Sequence, residues 1–358
     1  MSADRLLIAL MAAFAGLGAL DRIFGNRLGI GQEFENGIQA MGSLALAMVG
    51  IVCLAPVLAT VLRPVVVPVF RILGADPAMF AGSILACDMG GGPLARELTA
   101  DAQAASLGGV ITGSMLGATI VFTIPVALGI LGEEDRPALA KGILCGIVTI
   151  PIGILVGGLT AGFPPVMVLR NLVPIVLLAG LIALGLWKAE DKMVRGFAVF
   201  GKIVVAVITV GLGAAVIQAL TGFAVIPGMV DISEGFQTVG TIAIVLAGAF
   251  PLVAVVTKLL QKPLLAAGKL LGINDAAAAG LIASLANSIA TFGMVKDMNP
   301  RGKVVNIAFA VSAAFVFGDH LGFTAGFAPE LLGAVILGKL AGGVSAVIAA
   351  LVLTRKEK

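Results

Sequence analysis

The stretch "GIQAMGSLALAMVG" (residues 37–50) decides the fold, because a close copy of it, "GFQTVGTIAIVLAG", occupies residues 235–248. Three glycines, a glutamine and an alanine of the first stretch recur in the second, each 198 positions later. Shared apolar composition does not explain glycines and a glutamine that keep one register. We therefore predict two membrane repeats, residues 1–162 and 197–358, joined by a linking helix and loop at 163–196. Internal repeats are typical of transporters, whose sites lie where the halves meet.

The composition around this stretch indicates a membrane protein. The chain is 59% hydrophobic and only 12% charged, with a mean hydropathy of +1.12, whereas soluble domains carry about 25% charged residues. Crossing a bilayer takes about 20 apolar residues in a helix. The sequence predicts an all-α polytopic membrane protein with about eleven segments, approximately 6–24, 37–62, 77–95, 104–131, 138–162, 166–187, 197–223, 235–260, 276–294, 303–324 and 329–353.

The charges and cysteines of the chain indicate which kinds of binding partner the protein has. The formal net charge of +3 comes from Lys and Arg at segment ends, which favours contact with the lipid bilayer and not with nucleic acid. Cys53, Cys87 and Cys145 are scattered in apolar segments without paired spacing, so we expect buried side chains and neither disulfide nor metal. We expect a small-molecule substrate and no cofactor. A homo-oligomer is left open.

The third and ninth segments both contain residues that interrupt a helix. Asp88 precedes the glycines of "ACDMGGGPLAREL" (86–98), and Asn287 lies at a similar depth in "SLANSIATFGM" (284–294). Segments broken at corresponding positions of two halves point to a transport site, so we predict that Asp88 and Asn287 contact substrate. The alternative is a helix-ending turn with Asp88 near the water interface.

The direction of the repeats depends on these two segments. Basic residues flank each of them at both ends, which is compatible with a re-entrant hairpin. A re-entrant third segment makes the repeats inverted, and a crossing one makes them parallel. The sequence leaves both arrangements open.

The tenth segment, "NIAFAVSAAFVFGDHLGF" (306–323), carries an aspartate and the only histidine of the chain. A charge inside a membrane helix is costly and usually faces a partner or a water-filled path. We predict that Asp319 binds a cationic substrate and that His320 tunes this site. Phe315 lies four residues before Asp319, on the same face of a continuous helix, where its ring can attract a cation. The alternative is a helix-end pair at the membrane surface.

Three further observations concern the substrate. Gln39 and Gln237 are duplicated amides, which either coordinate the substrate or join helices. Lys339 and the other lysines of the segments are expected to extend to the interface, which disfavours an anionic substrate. Carboxylates, hydroxyls and phenyl rings together suit a small hydroxylated cation.

Long stretches of the chain resemble one family. They are "AMGSLALAMVG" (40–50), "LAPVLATVLRPVVVPV" (54–69), "MFAGSILACDMGG" (79–91), "GSMLGATIVFTIPVALGI" (113–130), "GIVTIPIG" (146–153), "RGKVVNIAFAVSAAFVFGDHLGF" (301–323) and "VILGKLAGGV" (335–344). In these stretches the chain is similar to the bacterial ethanolamine utilisation permease (EutH) family, from about residue 21 to about residue 352. The resemblance implies a protein of the bacterial inner membrane that imports ethanolamine into the cytosol for catabolism.

Other functions remain as alternatives. The protein could be a transporter of another small amine or amino alcohol. It could also be a membrane sensor that does not transport. An intramembrane hydrolase would need a nucleophile with a base, or a pair of matched carboxylate motifs. The faint "FGD" at 317–319 has no second matching motif, so we expect no enzyme activity.

Overall fold

A computed structural model describes residues 3–355, apart from the side chains at positions 3, 260–262, 264, 267 and 269. All regular elements of the described range are helical. Seven of its helical stretches are long and apolar enough to cross a membrane: Asp4–Ile23, Ile30–Ile72, Ala102–Ile130, Glu133–Thr160, Pro165–Thr221, Ile232–Leu259 and Pro329–Leu353. The predicted class, a multi-pass helical membrane protein, is confirmed.

We number the α-helices of the described range in chain order. They are α1 Ala3–Ile23, α2 Ile30–Ile72, α3 Ala78–Ile84, α4 Gly92–Leu98, α5 Ala102–Ala105, α6 Ile124–Ile130, α7 Arg136–Thr160, α8 Pro165–Thr221, α9 Ile232–Leu271, α10 Asp275–Ala286, α11 Ser288–Met294, α12 Pro300–Ala313, α13 Asp319–Phe327 and α14 Leu332–Leu353. Between α5 and α6 the chain winds as π-helix over Ser106–Gly117 and Thr119–Thr123.

The division into eleven separate segments differs from the observed helices. The sixth and seventh predicted segments lie within the single 57-residue helix α8. A kink at Ala189, with φ −150° and ψ 50°, separates its two parts. The third, ninth and tenth segments are each broken into shorter helices. Seven helical stretches, and not eleven, are therefore long and apolar enough to cross a membrane, and one of them, α8, is long enough to cross twice.

Two pairs of long helices form the centre of the fold. In the pair α2 and α9, a side chain at Gly37 would lie 2.5 Å from the backbone nitrogen of Ala247, and one at Gly235 would lie 2.8 Å from Val49. The glycines thus allow close packing, and the contacts run in opposite directions along the two helices. Helices α7 and α14 pack as closely, because a side chain at Gly153 would lie 2.7 Å from the Gly338 carbonyl oxygen.

The third predicted segment folds back on itself. Helix α3 ends at Ile84 and α4 begins at Gly92, with extended backbone at Leu85 and a positive φ of 99° at Gly90. The ends of the segment meet, because the Thr99 hydroxyl donates a hydrogen bond of 2.9 Å to Asp76 Oδ2. We call residues 76–99 the first hairpin. It enters and returns on one side of the molecule.

The ninth predicted segment has the same design. Helices α10 and α11 are separated by Asn287 alone, whose backbone is extended, with φ −157° and ψ 126°. Again the ends meet, since Asn274 Nδ2 donates to the Asp297 carbonyl oxygen at 2.8 Å. We call residues 274–297 the second hairpin. Both interruptions predicted from the sequence are therefore present.

The tenth segment is also broken, which corrects the prediction of one continuous helix there. Helix α12 ends at Ala313 and α13 begins at Asp319. Between them Phe315 takes a left-handed conformation with φ 63°. The backbone nitrogens of Phe315 and Phe317 donate to the carbonyl oxygens of Ser284 and Leu285, at 3.1 and 2.8 Å. These bonds to the second hairpin replace helical ones and make the break tolerable inside a membrane.

Candidate functional site

A small cavity lies where the turn of the first hairpin faces the break between α12 and α13. Its volume is about 30 Å³, which is close to that of one water molecule in the liquid. We call it the acidic cavity. The lining residues are Ala86, Asp88, Met89, Ala118, Phe122, Phe315, Asp319 and His320. The first hairpin and the π-helix supply one wall, and the residues around the break before α13 supply the other.

No lysine or arginine pairs with either carboxylate of the cavity among the described residues. The Asp88 side chain is 14% exposed, and its Oδ1 lies 3.7 Å from His320 Nε2 and 4.0 Å from Cys87 Sγ. Both distances exceed those of a normal hydrogen bond to oxygen. Asp319 is partly buried and makes no hydrogen bond or ion pair with the described residues. Unsatisfied acidic groups in an enclosed space attract a cation.

The backbone of the first hairpin holds Asp88 in place. A side chain at Gly90 would lie 2.3 Å from Ile51 Cγ1, so only glycine fits between the turn and α2. The π-helix packs equally closely on the other side, where a side chain at Gly117 would lie 1.9 Å from the Leu85 carbonyl oxygen. These contacts fix the turn and leave the carboxylate facing the cavity.

Lys339 lies behind His320 and corrects the prediction that this lysine reaches the interface. It is 1% exposed, donates a hydrogen bond to the Ser114 carbonyl oxygen, and its Nζ lies 3.1 Å from His320 Nδ1. The position explains the burial. Lys339 is ten residues from the start of the span at Pro329, or about 15 Å along the helix, half the thickness of the hydrocarbon core.

The contact with Lys339 selects one tautomer of His320. An ammonium group has hydrogens to donate and no lone pair, so Nδ1 of the imidazole accepts and the ring hydrogen belongs on Nε2. That nitrogen faces Asp88. His320 therefore turns a donor toward the carboxylate and an acceptor toward the lysine.

The same arrangement bears on metal binding. Cys87, Asp88 and His320 are the one group of potential ligands found among the described residues, with ligand atoms within 4.8 Å of one another. Thiolate, carboxylate and imidazole form a suitable donor set for zinc. Coordination through Nε2 requires that nitrogen to be free of hydrogen, whereas Lys339 favours a hydrogen there. The residues therefore fit a metal ion poorly.

Two phenyl rings close the apolar side of the cavity. Phe122 and Phe315 meet edge to face with ring centroids 5.3 Å apart, and the Phe315 ring lies 5.2 Å from the His320 ring. Phe315 is thus beside the predicted site, as expected. The predicted reason is wrong, because Phe315 precedes the break and shares no helical face with Asp319.

The other predicted site residues lie away from this cavity. Asn287 caps α11, and its Oδ1 accepts from the Ile289 nitrogen at 2.7 Å. Gln39 is exposed and donates to Glu35 Oε1 at 2.9 Å. Gln237 is exposed as well. The structure thus brings together Asp88, Asp319, His320 and Phe315, and none of these three joins them.

Neither the role of Phe122 in the cavity nor the burial of Lys339 was predicted from the sequence. A signal for Lys339 was available, since a lysine near the middle of a 25-residue span is too deep for its side chain to reach water. Phe122 gave no comparable signal, because the chain contains eighteen phenylalanines and only packing distinguishes them.

A multi-pass membrane protein with an enclosed acidic cavity is the class that fold and site define. A family model described as "Ethanolamine utilisation protein, EutH" matches residues 3–353. The chain belongs to this family.

Bacterial relatives cover nearly the whole chain. It is 60% identical over 97% of its length to "Probable ethanolamine permease EutH" of Listeria monocytogenes, covering 93% of that protein. It is 52% identical to "Uncharacterized protein YxeR" of Bacillus subtilis, over 99% of this chain and 96% of the relative. It is 47% identical to "Probable ethanolamine permease EutH" of Escherichia coli, over 100% of this chain and 97% of the relative. No solved structure matches the chain.

Proposed function

We propose that this protein is a permease that carries ethanolamine, a small hydroxylated cation, across the bacterial inner membrane into the cytosol. The observation that carries the proposal is the pair of carboxylates, Asp88 and Asp319, which face one small cavity that contains no cationic side chain. The names of the relatives from Listeria monocytogenes and Escherichia coli support ethanolamine as the substrate.

The proposed binding mode follows from the chemistry of the lining. The ammonium group of the substrate takes the place between Asp88 and Asp319, where its hydrogens satisfy both carboxylates. Phe315 and Phe122 present ring faces and edges to the rest of the molecule, and an ammonium near a ring face gains further attraction. Enclosure strengthens these interactions, because charges attract more strongly away from water.

We also propose that residues 1–162 and 197–358 are inverted repeats around this cavity, joined through residues 163–196. The two hairpins support this arrangement, since they occupy corresponding positions about 198 residues apart. The first hairpin returns to its own side, and the two parts of α8 cross separately on either side of the kink at Ala189. Five crossings, an odd number, then separate the two copies. The hairpins then enter from opposite sides of the membrane, which suits alternating access to one central site.

The test is uptake of radiolabelled ethanolamine into liposomes that contain only the purified protein. We expect saturable uptake that Asp319→Asn reduces by about 10- to 100-fold, because a hydrogen bond to a charged group contributes about 1.5–3 kcal/mol. Asp191→Asn is the matched control, since Asp191 is exposed in the linking region.

Three results distinguish the alternatives. Uptake of a different amine in preference to ethanolamine would reassign the substrate. Binding of ethanolamine without uptake would indicate a sensor. Wild-type uptake by Asp319→Asn would move the ammonium site away from this carboxylate.

A further inference from the structure

Lys339 places an amine, a potential positive charge, next to a site that we propose to bind a cation. Its Nζ contacts His320 Nδ1 at 3.1 Å, while the opposite side of the same ring faces Asp88. Lys339 itself does not line the cavity. The imidazole of His320 therefore lies between Lys339 and the Asp88 carboxylate. Lys339 takes up no space in the cavity itself.

The charges of this cluster can be counted. Asp88, Asp319, His320 and Lys339 hold two carboxylates, one ammonium and one neutral imidazole, and the neighbouring Cys87 thiol is neutral. The remaining lining residues are Ala86, Met89, Ala118, Phe122 and Phe315, none of which is charged. The cluster therefore carries a net charge of one negative unit. Moving a proton from the lysine to a carboxylate changes neither this sum nor its sign.

A net charge of one negative unit matches one monovalent cation. An unbalanced charge in an enclosed, apolar setting is unfavourable, so the occupied cluster is most stable when the ligand brings one positive charge. Without Lys339 the two carboxylates would carry two negative units. They would then favour a ligand with two positive charges.

We infer that Lys339 is a specificity-determining residue, which restricts the acidic cavity to monovalent ammonium compounds and rejects diamines. The inference rests on the proposed function. Ethanolamine and a short diamine have nearly the same size and differ mainly in a hydroxyl against a second ammonium. The shape of a small cavity cannot separate them strongly, whereas charge balance can.

The experiment compares two competitors of matched size, 3-aminopropanol and 1,3-diaminopropane, against uptake of radiolabelled ethanolamine into liposomes. The wild-type protein should be inhibited more strongly by the amino alcohol. Lys339→Met keeps the length of the side chain and removes its charge. We expect this variant to shift the ratio of the two inhibition constants toward the diamine by at least about tenfold.

Two control variants separate charge from structure. Lys339→Arg keeps the charge and should keep the wild-type preference. Lys202→Met removes a lysine from an exposed position on α8 and should leave the ratio unchanged. If the role of Lys339 were purely structural, Lys339→Met would change the inhibition constants of both competitors alike. The ratio of the two inhibition constants would then stay at its wild-type value.

The outcomes distinguish this inference from the proposed function. If Lys339→Met loses uptake, calorimetric titration of the purified variant with the same two amines gives the ratio directly. Suppose that the wild-type protein takes up ethanolamine and that the ratio of inhibition constants is unchanged in Lys339→Met. This result would overturn the inference about Lys339 and leave the proposed function intact. Absence of both uptake and binding of monoamines in wild type would overturn the proposed function itself.

Discussion

The two hairpins share one backbone design and differ in how their polar atoms are satisfied. In the second hairpin, Ser284 and Thr291 share a hydrogen bond of 2.8 Å, and Thr291 also donates to the Gly280 carbonyl oxygen at 2.9 Å. Asn287 is bonded to the first turn of α11. In the first hairpin, Asp88 Oδ1 lies 3.7 Å from His320 Nε2 and 4.0 Å from Cys87 Sγ, so no side chain donates to it at normal hydrogen-bond distance. The carboxylate that a cationic ligand could complete therefore belongs to the first hairpin, whereas the second hairpin leaves the buried Ser288 hydroxyl without a partner.

The comparison indicates that a broken helix does not by itself make a binding site. Interruption exposes backbone groups in both hairpins, yet local hydrogen bonds satisfy Ser284, Thr291 and Asn287 of the second, which carries no charge at its turn. The position 198 residues after Asp88 is Ala286, which carries no charge. If the halves are repeats, as proposed, the duplicated design binds substrate only where one copy holds a carboxylate.

The largest effect is expected from Asp88→Asn. This change removes the charge that is special to the first hairpin, so uptake efficiency should fall by about 10- to 100-fold, as for loss of a charge-assisted hydrogen bond. The measurement is ethanolamine uptake against concentration in liposomes. As the counterpart, Ala286→Asp places a carboxylate in the second hairpin and should not restore uptake to Asp88→Asn. Restoration would show that the hairpins are interchangeable.

A smaller but clear effect on stability is expected from Gly90→Ala. The residue has a φ of 99°, and a side chain there would meet Ile51 at 2.3 Å, so strain and overpacking should together cost about 3 kcal/mol. The corresponding change, Ser288→Ala, removes a buried hydroxyl without a partner and should change stability by less than about 0.5 kcal/mol. Thermal unfolding of both variants in detergent tests this, and equal destabilisation would contradict it.

Asn287→Ala should affect stability and not substrate affinity. The substitution removes the cap of α11 and should destabilise the protein by about 1 kcal/mol. Because Asn287 lies outside the acidic cavity, the substrate concentration for half-maximal uptake should stay within about twofold of wild type. Asn287→Ser keeps a capping oxygen and serves as control. A strong loss of affinity with unchanged stability would place Asn287 in the substrate path.

The smallest effects are expected from Gln39→Ala and Gln237→Ala. Both side chains are exposed, and neither lines the cavity. Each substitution should change stability by less than about 0.5 kcal/mol and leave the uptake rate near that of wild type. Uptake rates of the two single variants and the double variant provide the measurement. A loss in the double variant alone would reveal a shared role for this duplicated pair.

Local signals account for what the sequence predicted correctly. Hydropathy reports the helical membrane class because lipid exposure acts on each segment separately. Asp88, Asp319 and His320 were identifiable because ionisable residues are rare inside apolar segments. Their proximity to one another was only assumed, since it depends on how the first hairpin meets the break before α13.

Tertiary packing accounts for what the sequence did not predict. The break at Phe315 exists because the second hairpin supplies carbonyl oxygens to that backbone, and this partner is remote in the sequence. The partners of Lys339 come from the π-helix and from α13, so neither could be inferred from the apolar segment that contains it.

The short helices of the first hairpin have a consequence for membrane insertion. Helices α3 and α4 have seven residues each, about 10 Å, and neither can cross a hydrocarbon core about 30 Å thick. Their broken turn is tolerated only where protein surrounds it. We therefore expect the long helices to insert and associate first and the hairpin to fold between them afterwards. In that order, protein already surrounds the site when Asp88 enters the membrane interior, and its carboxylate is never exposed to lipid.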